Sequence, residues 1–134
     1  MRAIATWKQE QQYDAESDSG HHVVLDAGPA HAGGPTPMEL VLMALCSCTA
    51  VDVVSILHKK REPFTSLTVS AVAEQAPAPP RVFTHIHLTY HLGGKISPKA
   101  AEDAVALSKN KYCSVSKMLE KAVVIDYEIT YEGS

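Results

Sequence analysis

Polar and apolar positions alternate, then crowd together, then alternate again along this chain, and each change of period marks an element. Residues 2–8 read as a strand, residues 11–17 as a weaker second strand, and His22 to Ala27 as a third, with Asp18, Ser19 and Gly20 supplying a turn. Ala27 to Pro35 holds Gly28, Pro29, Gly33, Gly34 and Pro35 and reads as a flexible connection. A helix start follows. Thr36 can cap it, Pro37 suits its first position, and Glu39, three residues after Thr36, completes a capping box. The helix is expected to run to about Lys60 and Arg61, cations that complement its negative end, with Pro63 soon after.

Leu40 to Leu57 is apolar on nearly every side, whereas a helix on a surface shows only an apolar stripe. Such a helix must be covered all round. Its own sheet could wrap it, but a chain of 134 residues has few elements to do so. A second subunit is the expected cover, in a large-interface homodimer. The segment is too short and too polar for a membrane span: Asp52 interrupts it, and Ser47, Thr49 and Ser55 add hydroxyls.

Beyond Pro63, Ser66 to Ala73 and Arg81 to Leu92 alternate as two strands joined by a proline-rich loop over residues 75–80, and Gly93 and Gly94 end the second. Ser97 and Pro98 open another helix with Ala101, Ala104, Val105 and Leu107 on a broad apolar face. A short helical segment spans Cys113 to Lys121, and Val123 to Tyr131 alternates as a terminal strand. The order βββ–α–ββ–αα–β predicts one α+β domain over residues 1–134.

Composition narrows the function. Twelve basic against fifteen acidic residues, a net charge of −3, provide no basic field for nucleic acid. The N-terminus has no cationic start followed by an apolar block, so a cytoplasmic location is expected. Three cysteines, Cys46, Cys48 and Cys113, make no disulfide scaffold and suit a reducing compartment.

Cys46 and Cys48 are two apart on the long helix and project about 200° from one another, so only one can face a given cleft. Cys113 stands at the start of a helix with Lys111 beside it, a setting expected to lower a thiol pKa. The plain alternative is that all three are small buried hydrophobes. Asp52, four residues after Cys48, shares its face and would oppose thiolate formation there. Phe83, His85, His87, Thr89 and His91 fall on one strand face, with Val82, Ile86, Leu88, Tyr90 and Leu92 on the other. The histidines could bind zinc with a partner ligand, but no cysteine or carboxylate accompanies them at ligand spacing, and a solvated face explains them more simply. No metal or cofactor is expected.

Residues 36–54, from Thr36-Pro37-Met38-Glu39 through Cys46-Ser47-Cys48-Thr49, resemble the central helix of the OsmC/Ohr family, and Lys111-Tyr112-Cys113-Ser114-Val115-Ser116 resembles that family's second cysteine motif. The likeness covers essentially the whole chain and is nearest to the YhfA-type branch. It implies antiparallel sheets packed around a long buried central helix, an intertwined homodimer with active sites at the subunit interface, and reduction of organic hydroperoxides. By that resemblance Cys48 is the peroxidatic cysteine, Cys113 resolves it, Cys46 is a bystander, and an external dithiol reduces the resulting disulfide. Glu39 is either the carboxylate partner of the reactive cysteine, one place later than in the well-studied peroxidases, or only the closing member of the capping box. Between Lys8 and Gly34 there is no arginine or lysine, so the activating cation would have to be Arg81 or Lys111. The competing function is a non-enzymatic dimer that binds a small apolar ligand between its subunits.

Overall fold

The computed structural model describes residues 1–133. The chain divides into two compact units, one ending at Met43 and the other starting at Ala44. The first unit is built on an antiparallel meander of β1 (Ala3–Gln9), β2 (Gln12–Ser17) and β3 (His22–Asp26). Tyr13 lies between Trp7 and Leu25 in register. β1 is exposed along its whole length, including Ile4 at 60% and Trp7 at 63%.

The connection after β3 is pinned rather than flexible. Asp26, buried at the end of β3, accepts hydrogen bonds from the backbone N–H of Gly28 (2.8 Å) and Gly33 (2.9 Å). Its own N–H donates to the Pro35 carbonyl at 3.0 Å. A glycine-rich stretch suggests freedom by composition, but one carboxylate with two backbone donors removes it. Those N–H groups hold the Asp26 carboxyl below its ordinary value of 3.8. A depressed folded pKa contributes stability fully present above the unfolded value of about 4 and lost as pH falls through the folded one. Thermal melts of wild type and Asp26→Asn between about pH 3 and 6 should therefore converge toward the acid end. A constant gap between them across that range would show that the carboxylate charge is not what pins the loop.

α1 (Pro37–Lys59) begins as the capping box predicts. The Thr36 N–H donates to Glu39 Oε1 at 2.9 Å, and the Glu39 N–H donates to Thr36 Oγ1 at 3.1 Å. In the second unit, Leu45, Thr49, Val53 and Leu57 form the buried stripe of this helix, one residue per turn. Within this unit the side of the helix that carries Ser47, Val51 and Ser55 stays exposed, Val51 at 68%. The possibility that its own sheet wraps it entirely is thereby removed.

β4 (Phe64–Gln75) and β5 (Phe83–Gly94) pair antiparallel, while β6 (Val124–Tyr131) joins the other edge of β5 in parallel. The second sheet is thus mixed rather than antiparallel throughout. The cause is the crossover between β5 and β6, which carries α2 (Pro98–Leu107), a π-helical turn over Ser108–Tyr112 and α3 (Ser114–Leu119), enough chain to return to the same end of the sheet. Ser97 caps α2 through its Oγ, which accepts from the Ala100 N–H at 3.3 Å. Ile86, Leu88, Tyr90 and Leu92 alternate inward from β5 as expected.

Phe83 and Val82 depart from that alternation. Gln75 pairs with Phe83 but Glu74 pairs with His85, so Thr84 is an additional residue at a β-bulge. The bulge inverts the alternation upstream of it. Phe83 is consequently buried, away from the histidine face, and Val82 is exposed.

Candidate functional site

The second unit brings Cys48 and Cys113 together. The Cys48 side chain is a hydrogen-bonding neighbour of the Cys113 thiol, and no cysteine is in a disulfide. Cys48 is held by the geometry of α1, one residue before the buried Thr49. Cys113 caps α3 and is wholly buried, and its Sγ accepts from the Ser116 N–H at 3.4 Å. Its own N–H donates to the Ser108 carbonyl at 2.7 Å, closing the π-helical turn.

Electrostatics at Cys113 run opposite to the expectation from its place at a helix start. Burial pushes the thiol up to about 12, the neighbouring Cys48 and the Asp52 charge add to the rise, and the Ser116 N–H only partly offsets them. A six-residue helix offers a weak dipole, and removing a sulfur anion from water costs more than one N–H returns. The Lys111 Nζ lies over the Tyr112 ring, 5.3 Å from its centroid. Arg81 is also engaged elsewhere: its Nη1 donates to the Pro77 carbonyl at 2.6 Å. Cys46, half-buried on another side of α1, has its thiol pushed up by burial. Glu39 has its carboxylate in the capping box, and the Thr36 N–H and side chain hold its pKa down.

Beside the two thiols runs a chain of hydroxyls that sequence reasoning missed. Ser108 Oγ donates to Asp52 Oδ2 at 2.9 Å. A serine hydroxyl has one proton, so Ser108 must accept the 2.8 Å bond it shares with Thr49 Oγ1. Thr49 then accepts from the Tyr90 hydroxyl at 2.7 Å. The chain runs Tyr90 to Thr49 to Ser108 to Asp52, and its first three members are buried. Burial also pushes the Tyr90 phenol up to about 12, although the Thr49 hydrogen bond pulls the other way. Edge-to-face contact with Tyr127, 5.9 Å between ring centres, completes its packing. The available signal was Thr49: a hydroxyl on the buried stripe of an apolar helix requires a partner. Ser116 adds a buried hydroxyl with no hydrogen-bond partner among the described residues.

The histidine face of β5 does have carboxylates, supplied by the parallel strand. His85 Nε2 lies 2.8 Å and His87 Nδ1 2.5 Å from the two oxygens of Asp126, and Glu128 approaches His87 Nε2 at 3.3 Å. His91 shares a 2.7 Å hydrogen bond with Thr130. These are paired, partly exposed side chains of adjacent strands. Among the described residues no group of three His, Cys, Asp or Glu side chains is arranged to hold a metal ion.

The family profile described as OsmC-like protein matches residues 30–128, which include the long helix, Cys48 and Cys113. The chain belongs to the OsmC family. Within it, Protein YhfA of Escherichia coli is 43% identical over 132 residues, 96% of this chain and 98% of the relative, and this places the chain in the YhfA-type branch. A solved structure of a hypothetical protein from Aquifex aeolicus is 29% identical, with a TM-score of 0.84 and coverage of 98% of this chain and 96% of that one. An organic hydroperoxide resistance protein OsmC from Legionella pneumophila superposes with a TM-score of 0.72 over 97% of each chain. At 15% identity it shows the shared fold alone. α1 is long and apolar enough by length and composition to cross a membrane, and Leu45, Thr49, Val53 and Leu57 on it are buried within the second unit.

Proposed function

We propose that this OsmC-family protein is a cytoplasmic thiol-dependent peroxidase that reduces organic hydroperoxides. The observation that carries the reading is the pairing of Cys48 with Cys113 across 65 positions of sequence. The Cys48 thiolate attacks the distal peroxide oxygen, the O–O bond breaks, and the alcohol leaves with a proton. Cys48 is then a sulfenic acid. Cys113 attacks that sulfur, water leaves, and a disulfide forms. An external dithiol returns two electrons and two protons to restore both thiols. Cumene hydroperoxide added to the pure protein should form a 48–113 disulfide, located by mass spectrometry of peptides. Survival of all three thiols in a stoichiometric excess would overturn the peroxidase.

Glu39 is the third proposed participant, a carboxylate one place later than the glutamate of the family pattern. Glu39→Gln isolates its charge, since glutamine also closes a capping box. Peroxide consumption is expected to fall while the melting temperature holds. Equal turnover in the variant would leave Glu39 with the helix start alone.

A homodimer is part of the proposal, supported by the uncovered apolar face of α1 around Ala50, Val51 and Val54 together with Leu67. Val51→Asp would place a carboxylate in that interface and should give the monomer mass by light scattering. A monomeric wild type at micromolar concentration would sink the dimer.

The non-enzymatic alternative draws on Cys113, whose thiol at about 12 stays neutral at physiological pH, and on the same apolar face as a ligand site. The cumene hydroperoxide experiment decides between the two readings.

A further inference from the structure

Ser108 occupies a place that neither cysteine motif explains. It is wholly buried and touches the site with two different groups. Its hydroxyl accepts from Thr49 Oγ1 at 2.8 Å and donates to Asp52 Oδ2 at 2.9 Å. Its carbonyl accepts the Cys113 N–H at 2.7 Å. Thr49 directly follows Cys48, and Asp52 stands one helical turn beyond it. One residue therefore grips the turn of α1 that carries one thiol and, through its backbone, the residue that carries the other.

The turn type makes this grip effective. In a continued α-helix the Ser108 carbonyl would accept from residue 112; here it accepts from Cys113, one residue further on. The additional residue rotates Cys113 by about 100° relative to an α-helical path. A π-turn has poorer geometry than the α-helix it replaces and persists where surrounding contacts hold it. The bonds from Thr49 and to Asp52 are such contacts.

We propose that Ser108 is the positioning residue that sets the Cys113 sulfur against Cys48, through hydroxyl bonds to Thr49 and Asp52 and a carbonyl bond to the Cys113 amide. It touches neither sulfur and does no chemistry itself. Its effect is on the effective concentration of one thiol toward the other. A misplacement of about 1 Å is enough to cost a large factor in such a reaction. The proposal rests on the reading that Cys48 and Cys113 form a disulfide, but not on peroxide as the oxidant.

The test uses full-length protein in a Cys46→Ser background, so that only the pair reports. Equilibration in buffers of reduced and oxidised glutathione yields the effective concentration of the Cys48–Cys113 disulfide. Ser108→Ala should lower it about tenfold or more. Thr49→Val, close in shape, should lower it in the same direction by removing one of the two hydroxyl bonds, with its fold checked by circular dichroism because the change also takes the acceptor from the Tyr90 hydroxyl. Asp52→Asn retains an oxygen acceptor for Ser108 and should stay near wild type. In Ser108→Ala and Thr49→Val the rate at which Cys48 reacts with iodoacetamide, with Cys113 also replaced by Ser, should be unchanged, because positioning leaves the first thiol alone.

Effective concentrations within twofold of wild type in folded Thr49→Val and Ser108→Ala proteins would overturn the assignment. So would an Asp52→Asn protein that falls as far as Ser108→Ala, since the charge rather than the grip would then be responsible. A wild type that forms the disulfide in glutathione but ignores cumene hydroperoxide would remove the peroxidase and leave the positioning role intact.

Discussion

Replacing Cys48 by Ser is expected to reduce consumption of cumene hydroperoxide to the uncatalysed background, whereas Cys46→Ala leaves it nearly intact. The two cysteines lie on different sides of one helix, and only Cys48 has the buried Cys113 as a neighbour. Without the Cys48 sulfur there is no nucleophile to accept the distal oxygen, and a serine hydroxyl with no base beside it does not substitute. Cys113→Ser should behave differently from either. Oxidation at Cys48 continues, but the sulfenic acid has no thiol to condense with, so it accumulates, becomes trappable by dimedone, and over-oxidises with repeated peroxide. A measured series of peroxide consumption, dimedone labelling and intact mass for the three variants checks all of this together. Loss of turnover in Cys46→Ala with retention in Cys48→Ala would move the reactive position by two residues. The pH dependence has a definite sign: raising the pH ionises more thiol, so disulfide closure should speed up across the accessible alkaline range. With Cys113 pushed up to about 12, no plateau is expected near neutrality.

The other large effect is on stability, at Gly34. A Cβ at that position would sit 2.1 Å from the Val24 carbonyl oxygen and 2.9 Å from its carbon. Both are backbone atoms of β3, so no side chain can rotate away to make room. Gly34→Ala must therefore displace either the strand or the connection that Asp26 pins at Gly33. Such a clash costs about 1–3 kcal/mol or more. For a chain of this size that lowers the melting temperature by several degrees. Chemical denaturation or calorimetry on Gly34→Ala reads the loss directly. A stability equal to wild type would mean that the approach of Gly34 to β3 is looser than the structure shows. Amide exchange should place the disturbance at Val24 to Asp26 and leave the Ile86, Leu88 and Tyr90 amides of β5 protected.

Much of the fold was legible because its signals are local. Thr36 and Glu39, three residues apart, announce a helix start whatever surrounds them, and the reciprocal hydrogen bonds are present. Ser97 with Pro98 does the same for α2. Alternation marks all six strands and fails at Val82 and Phe83, where one bulged residue inverts the faces and leaves no mark in a pattern of period two. The two cysteine motifs and their separation pointed to the family, and the pair does meet in space.

The sequence by itself determined the order and type of the elements, the excess of apolar surface on α1, and the residues available for sulfur chemistry. Only the tertiary structure decided the electrostatic setting of those residues. The sign of the Cys113 shift depends on how deeply the thiol is buried and on Asp52, 61 positions earlier in the chain. The carboxylates beside His85 and His87 come from β6 because a helical crossover makes its pairing parallel, at a register no local pattern encodes. Ser108 reads in the sequence as an ordinary residue near the end of a helix. Its partners are the Thr49 hydroxyl and the Asp52 carboxylate, both from a remote helix, and the Cys113 amide five residues on. Local propensity acts through near neighbours along the chain, while desolvation and hydrogen-bond partners are set by which distant segments folding brings together.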